Sequence, residues 1–207
     1  GGVALGRRRV QGGHTQVAGR GSRVEPVRPR WDPEGWEVLF GGTSIEGWHI
    51  MNDGFWELDD DGALVGEGGM SHIFSPRGDY TDFEARARMK ISDGGNSGFY
   101  FRTTLGEGWP KGYEAQVNST YPDPQKTGSL YSIAPIHASL VAADTWFDYG
   151  VRCVDTEEGT HITITINGAV VTDVVDKERR HASGHVAIQQ HHDGPGIPGQ
   201  RVAVREL

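Results

Sequence analysis

Asn96-Ser97-Gly98-Phe99-Tyr100-Phe101-Arg102 leads through a short glycine-rich loop into Gly112-Tyr113-Glu114-Ala115-Gln116, and the reading of this stretch decides the fold. Side chains in a strand alternate between its two faces. Phe99 and Phe101 therefore point one way, Tyr100 and Arg102 the other. Glu114 and Gln116 share a face opposite Tyr113, Ala115 and Val117. Two neighbouring strands thus each place an apolar row in a core and a polar row on the reverse side. An acid, an amide and a guanidinium on one sheet face suit a sugar site better than a core.

The same alternation runs outward along the chain. Phe83, Ala85, Ala87 and Met89 alternate with Glu84, Arg86, Arg88 and Lys90, and Ile162, Ile164 and Ile166 with Thr163 and Thr165. Asn167-Gly168 then marks a two-residue hairpin with Ala169–Val175 as its return strand. Asp60-Asp61-Gly62 is a second turn, between Phe55–Asp59 and Ala63–Glu67. Val186 and Ile188 alternate with Ala187, Gln189 and His191. Further strands are expected at Trp36–Phe40, Ser71–Ser75, Ser129–Ile133, Trp146–Asp155 and Arg201–Leu207. About a dozen strands and no helix-length segment predict a two-sheet antiparallel sandwich, its polar rows lining a concave face. Residues 1–33 carry glycine, arginine and proline but few large apolar side chains. They read as a disordered lead-in to a folded domain over residues 34–207.

The 207 residues are 36% hydrophobic and 23% charged, enough for one core. No apolar run approaches the roughly 18–20 residues that span a bilayer. A formal charge of −8 opposes a nucleic-acid partner, since phosphate binding needs a basic field. The single cysteine, Cys153, excludes an internal disulfide and a multi-thiolate metal site; it reads as a small buried hydrophobe.

A sugar site needs aromatic faces and polar groups for hydroxyls. Arg102, Glu114, Gln116, Gln189 and His191 offer the polar part, and Tyr100, Tyr131 and Trp109 the aromatic part. Glu114 reads both as the salt-bridge partner of Arg102 and as a functional carboxylate held ionised by it. His191-His192-Asp193 invites a metal, but adjacent histidines on a strand point to opposite faces and no further ligand cluster lies nearby. No metal and no cofactor is expected. His72 and His137 read as solvated surface histidines. Glu57-Leu58-Asp59 is similar to the paired-carboxylate strand of sandwich-fold glucanases, but it runs into a turn and lacks the second glutamate.

Six motifs in order resemble the 3-keto-disaccharide hydrolase domain family from about Trp36 to Leu207. They are Leu39–Trp48 with its terminal Gly-Trp pair, Tyr80-Thr81-Asp82-Phe83-Glu84, and Asn96-Ser97-Gly98 with Phe101-Arg102. Gly112-Tyr113-Glu114 with Gln116, Thr127–Tyr131 and Gly184–His191 follow. The chain departs from the family pattern at Trp146-Phe147-Asp148 and in the loop Asp193–Gln200, at one rim of the expected pocket. The resemblance implies an all-β jelly roll of the concanavalin A-like lectin and glucanase type. It also implies a carbohydrate substrate already oxidised at C3 of a glucosyl unit, and a periplasmic or secreted location. Glu114, Arg102 and His191 are then the expected catalytic residues, and Asn96, Tyr100, Gln116, Tyr131 and Gln189 the substrate-binding ones. Glu114 and His191 are alternative bases for the C2 proton, with Arg102 stabilising the enolate. A non-catalytic carbohydrate-binding domain is the alternative on the same face, and a structural or adhesion sandwich the third.

Overall fold

The computed structural model describes residues 9–11, 30–192 and 200–207. Three short strands come first: β1 (Arg9–Gln11), β2 (Arg30–Trp31) and β3 (Glu37–Val38). Five long ones follow: β4 (His49–Leu58), β5 (Leu64–Phe74), β6 (Phe83–Ile91), β7 (Asn96–Thr104) and β8 (Lys111–Asn118). Then come β9 (Phe147–Asp155), β10 (Thr160–Ile166) and β11 (Ala169–Asp176). Last are β12 (His185–Gln190) and β13 (Arg201–Arg205). No helix occurs among the described residues.

Eleven strands hydrogen-bond in one antiparallel sheet of order β11-β10-β9-β6-β13-β5-β12-β7-β8, with β4 beside β5 and β1 beside β4. The expected jelly-roll sandwich forms by this sheet curling on itself, so its two layers are halves of one ladder. The long strand β5 makes the passage between them. Leu64–Glu67 pairs with β13, whereas Ser71–Phe74 pairs with β12. The two strands expected here are thus one, irregular at its middle, where Gly68 takes φ +86°.

Side chains tie the far ends of the sheet together. Tyr149 on β9 donates its hydroxyl to the Gln116 carbonyl on β8 at 2.8 Å, and Tyr113 on β8 donates to Asp176 Oδ2 on β11 at 2.6 Å. Between the layers lies one apolar core, supplied by the alternate residues of each strand, among them Phe99, Phe101, Tyr113, Val117, Ile162, Ile164, Val186 and Ile188. Each such side chain contributes about 1.5–3 kcal/mol by leaving water. Cys153 belongs to this core. At the β10–β11 hairpin Asn167 and Gly168 take φ of 50° and 80°, the paired left-handed conformation of a type I′ turn.

Two expectations need correction. Ser129–Ile133 is not a strand: Ile133 N–H bonds back to the Leu130 carbonyl at 3.0 Å, and Ser132 takes φ +61°. Only Leu130 bridges Ala115, which keeps its side chain in the core. The lead-in is not without regular structure either. β1 pairs with Phe55–Glu57 of β4, and β2 with β3. An edge strand offers free N–H and C=O groups, so a passing segment can pair with it without burying apolar side chains. Residues 1–8 and 12–29 lie outside the described residues, as do positions 193–199 of the Asp193–Gln200 loop.

Candidate active site

On the face of β5, β12, β7 and β8 turned away from the core, register builds two adjacent rows. Ala187 faces Phe74 on one side and Tyr100 on the other, and Tyr100 faces Glu114. In the next row His72 faces Gln189, and Gly98 faces Gln116. The rows floor a cavity of about 340 Å³. Asn96, Tyr100, Glu114, Gln116 and Gln189 reach it from strands, His191 from just beyond the end of β12, and Tyr131 from the loop after β8.

The carboxyl group of Glu114 leans off its own row and lies over Gly98. A Cβ at 98 would stand 2.3 Å from Glu114 Oε1, so only glycine leaves the seat free. The Tyr100 hydroxyl bonds the carboxylate. The Gln116 amide, turned with nitrogen toward its neighbours, donates to the Ser97 carbonyl at 2.8 Å and to Glu114 Oε1 at 3.2 Å. Glu114 keeps part of its surface on the cavity but is otherwise walled in by protein. That desolvation pushes its pKa up from 4.5 to about 8; the charge of Asp123 adds to the rise and the Tyr100 bond opposes it.

Behind the floor, Gln189 Nε2 lies 3.0 Å from the Tyr100 hydroxyl and 3.2 Å from His72 Nε2. His72 is fully buried, contrary to its reading as a surface histidine. The reason lies in strand parity: it sits on the same face as Phe74, under the cavity rather than beside it. His137, by contrast, is exposed. Desolvation, helped by His191, lowers the His72 pKa to about 4. Desolvation and then His192 lower that of His191 to about 4 as well.

Arg102 is not in the cavity. It lies within a bulge between Phe101 and Thr104 and takes φ +47°, which breaks the alternation that would have placed it beside Tyr100. Its buried guanidinium bonds Asp155 Oδ1 at 3.0 Å, Asp82 Oδ1 at 3.1 Å, and the carbonyls of Thr81 at 2.8 Å and His181 at 3.2 Å. The expected Arg102–Glu114 pair is therefore replaced by an arginine stapling β7 to β9 and to the segment before β6. Among the described residues no cation stands in its place to hold Glu114 ionised.

Three cavity residues escaped the sequence reading or were underweighted by it. Asp123 and Tyr121 come from the loop after β8, and Trp109 from the loop before it. Tyr131 donates its hydroxyl to Asp123 Oδ2 at 2.7 Å. Trp109, 54% exposed, stands 5.2 Å from the His191 ring and 5.9 Å from that of His72. Tyr121 flanks His191 at 5.3 Å. The proline-rich composition around Tyr121 and Asp123 marks a structured loop, but no periodicity says where its side chains aim. Among the described residues no three His, Cys, Asp or Glu side chains form a metal-binding group.

A seated acid on a sugar-sized cavity with an aromatic rim is the setting in which relatedness becomes informative. The family model of the 3-keto-alpha-glucoside-1,2-lyase-like domain matches residues 35–206. The chain belongs to this family. Solved structures similar to this lyase-like domain include the carbohydrate-binding module CBM66 from Bacillus subtilis. It is 19% identical, with 77% of this chain and 92% of that chain covered and a TM-score of 0.52. Winged bean acidic lectin, complexed with methyl-alpha-D-galactose, is 9% identical over 80% of this chain and 92% of its own, with a TM-score of 0.55. Lotus tetragonolobus seed lectin is 10% identical over 81% and 93%, with a TM-score of 0.53. At these identities the likeness is one of fold, the concanavalin A-like jelly roll. Comparison with curated proteins finds no match.

Proposed function

We propose that the cavity binds a glycoside whose glucosyl unit carries a ketone at C3, and that Glu114 removes the proton from C2. The ketone acidifies that proton, so a single base drives elimination of the C1 substituent. Water adding to the resulting enone gives net hydrolysis. The observation that carries this reading is the seat of Glu114, a carboxyl group on the cavity floor with no cationic partner among the described residues, its pKa held near 8. A base whose conjugate acid titrates near the working pH combines an adequate ionised fraction with a strong pull on the proton. His191, held at about 4, is the weaker base of the two.

Because Arg102 is spent elsewhere, the enolate oxygen would be met by a neutral donor, the amide of Asn96. Tyr131 gives its one hydroxyl proton to Asp123 and stays protonated, its pKa pushed up to about 12 chiefly by that bond. The leaving oxygen would therefore take its proton from Glu114, which has gained one from C2. Trp109 and Tyr121 offer their faces to the apolar side of a sugar ring. A periplasmic or secreted location accompanies this reading.

The same aromatic rim would also serve a domain that binds sugar without cleaving it. Incubation with a 3-keto-disaccharide and with its unoxidised parent separates the two readings: release of the C1 substituent from the first alone supports the enzyme. In folded Glu114→Gln turnover should fall by about 10²–10⁴-fold. If that variant stays near the parent rate while His191→Ala is inactive, the base is His191. If neither variant changes the rate, this cavity is not where the chemistry occurs.

A further inference from the structure

We propose that His72 is a positioning residue that sets the direction of the hydrogen-bond chain His72–Gln189–Tyr100–Glu114, so that its ring tautomer and the charge of Glu114 change together. The role of Glu114 as base rests on the preceding reading; the coupling itself does not. An amide nitrogen only donates. With Gln189 Nε2 toward both neighbours, Tyr100 oxygen accepts at 3.0 Å and His72 Nε2 accepts at 3.2 Å. The Tyr100 proton is then free to go to the Glu114 carboxylate, and the His72 proton is confined to Nδ1.

Turning the amide over reverses every bond. Its oxygen then accepts from Tyr100 O–H and from His72 Nε2–H, and Tyr100 can meet Glu114 only as the acceptor of a protonated acid. The Nδ1 atom of His72 has no hydrogen-bond partner among the described residues, so Gln189 alone selects the tautomer. Ser97 Oγ bonds the Gln189 carbonyl at 2.6 Å, which holds the backbone still while the side-chain amide is free to choose.

Few other charges compete at the chain. Tyr100 on β7 is neutral, its pKa driven far up by burial. Asp123 and Tyr131 face Glu114 from the loop after β8, and Tyr149 from β9. His191, with His192 beyond it, faces His72 from the end of β12. Both His72 and His191 are neutral at pH 7, so the ring of His72 answers to a change of partner rather than to a change of its own charge.

The test follows protonation rather than turnover, so it stands even if no 3-keto-glycoside is cleaved. The ring nitrogens of His72 and the carboxyl carbon of Glu114 are followed by NMR in the unmodified protein between about pH 5 and 10. The ring should stay neutral while its proton moves from Nε2 to Nδ1, with the same midpoint as Glu114 ionisation. A single tautomer throughout, or a different midpoint, overturns the proposal. In His72→Phe, which keeps a ring but no acceptor, the Glu114 midpoint should rise by about one unit, tenfold in its acid constant. His72→Gln should restore most of the difference. An unchanged midpoint in folded His72→Phe overturns the proposal. Should that variant not fold, the tautomer measurement decides alone.

Discussion

Gly98 supports the Glu114 carboxyl group directly: a Cβ at 98 would lie 2.3 Å from Oε1 and 2.8 Å from Cγ. The two residues sit in adjacent rows of a sheet, on β7 and β8, and their contact exists only because one of them has no side chain. A strand interior usually disfavours glycine. Here its weakness as a strand former is offset by what it admits, an acid laid flat on the sheet.

Gly98→Ala tests this seat. The clash falls on the mobile end of a glutamate, so the fold should survive with about 1 kcal/mol or less of lost stability. A displacement of about 1 Å should lower turnover of a 3-keto-glycoside by about 10²-fold. Thermal denaturation beside kcat checks both halves; a variant as active as the parent shows that the seat does not position the reacting group.

Stability should pass through a maximum near pH 6.5. Glu114 has its pKa raised from 4.5 to about 8, so its contribution is fully present below 4.5 and is lost as pH rises through 8. His72 and His191 are lowered from 6.5 to about 4, so theirs is present above 6.5 and lost as pH falls through 4. Below 6.5 two histidines outweigh one carboxyl; above it the carboxyl acts alone. Glu114→Gln should flatten the alkaline side and steepen the acid side above pH 4.5, so the melting temperatures of variant and parent diverge in the variant's favour as pH rises from 4.5 to about 8. An alkaline slope that survives the substitution assigns it to another group.

Arg102→Met should lose stability rather than chemistry. The buried guanidinium makes two carboxylate contacts, but Asp82 and Asp155 are about half exposed, so their share is screened. About 3 kcal/mol is expected, near the low end for breaking a buried pair. Denaturant titration measures it, and kcat at a temperature where the variant is folded should stay within about threefold of the parent. A folded but inactive variant would return Arg102 to the reaction.

Trp109→Ala should raise KM by about 2–10-fold with little change in kcat, the mark of a face that binds ground and transition states alike. Steady-state kinetics on a 3-keto-disaccharide reads this. A fall in kcat with KM unchanged instead ties Trp109 to the chemical step, through its contact with His191.

Alternation set Tyr100, Glu114, Gln116, Gln189 and His191 opposite the apolar row of each segment, because burying one row leaves the other no choice; that the segments adjoin came from the family resemblance. The same rule, applied to Ile73 in the core and Phe74 opposite it, would also have drawn His72 under the cavity. It fails at Arg102 because a bulge with positive φ in a residue other than glycine has no signature in composition. It is silent on Trp109, Tyr121 and Asp123, since loops carry no period. The continuity of the sheet was also out of reach: that β13 lies between β5 and β6 is a long-range pairing that no local pattern announces.

The staple at Arg102 also works as a ratchet. A strand sliding by one residue would turn Phe99 into the cavity and Tyr100 into the core; sliding by two would keep the faces but part Tyr100 from Glu114. The bulge cannot travel along β7, because its guanidinium is moored to Asp82 and Asp155 and its backbone fits over Gly184, where a Cβ would come within 2.5 Å of Thr103 N. A side chain with no place in the cavity thereby fixes which residues meet inside it. Substitutions that loosen the mooring should add a minority of register-slipped molecules that lack the cavity, while the correctly paired ones keep their rate.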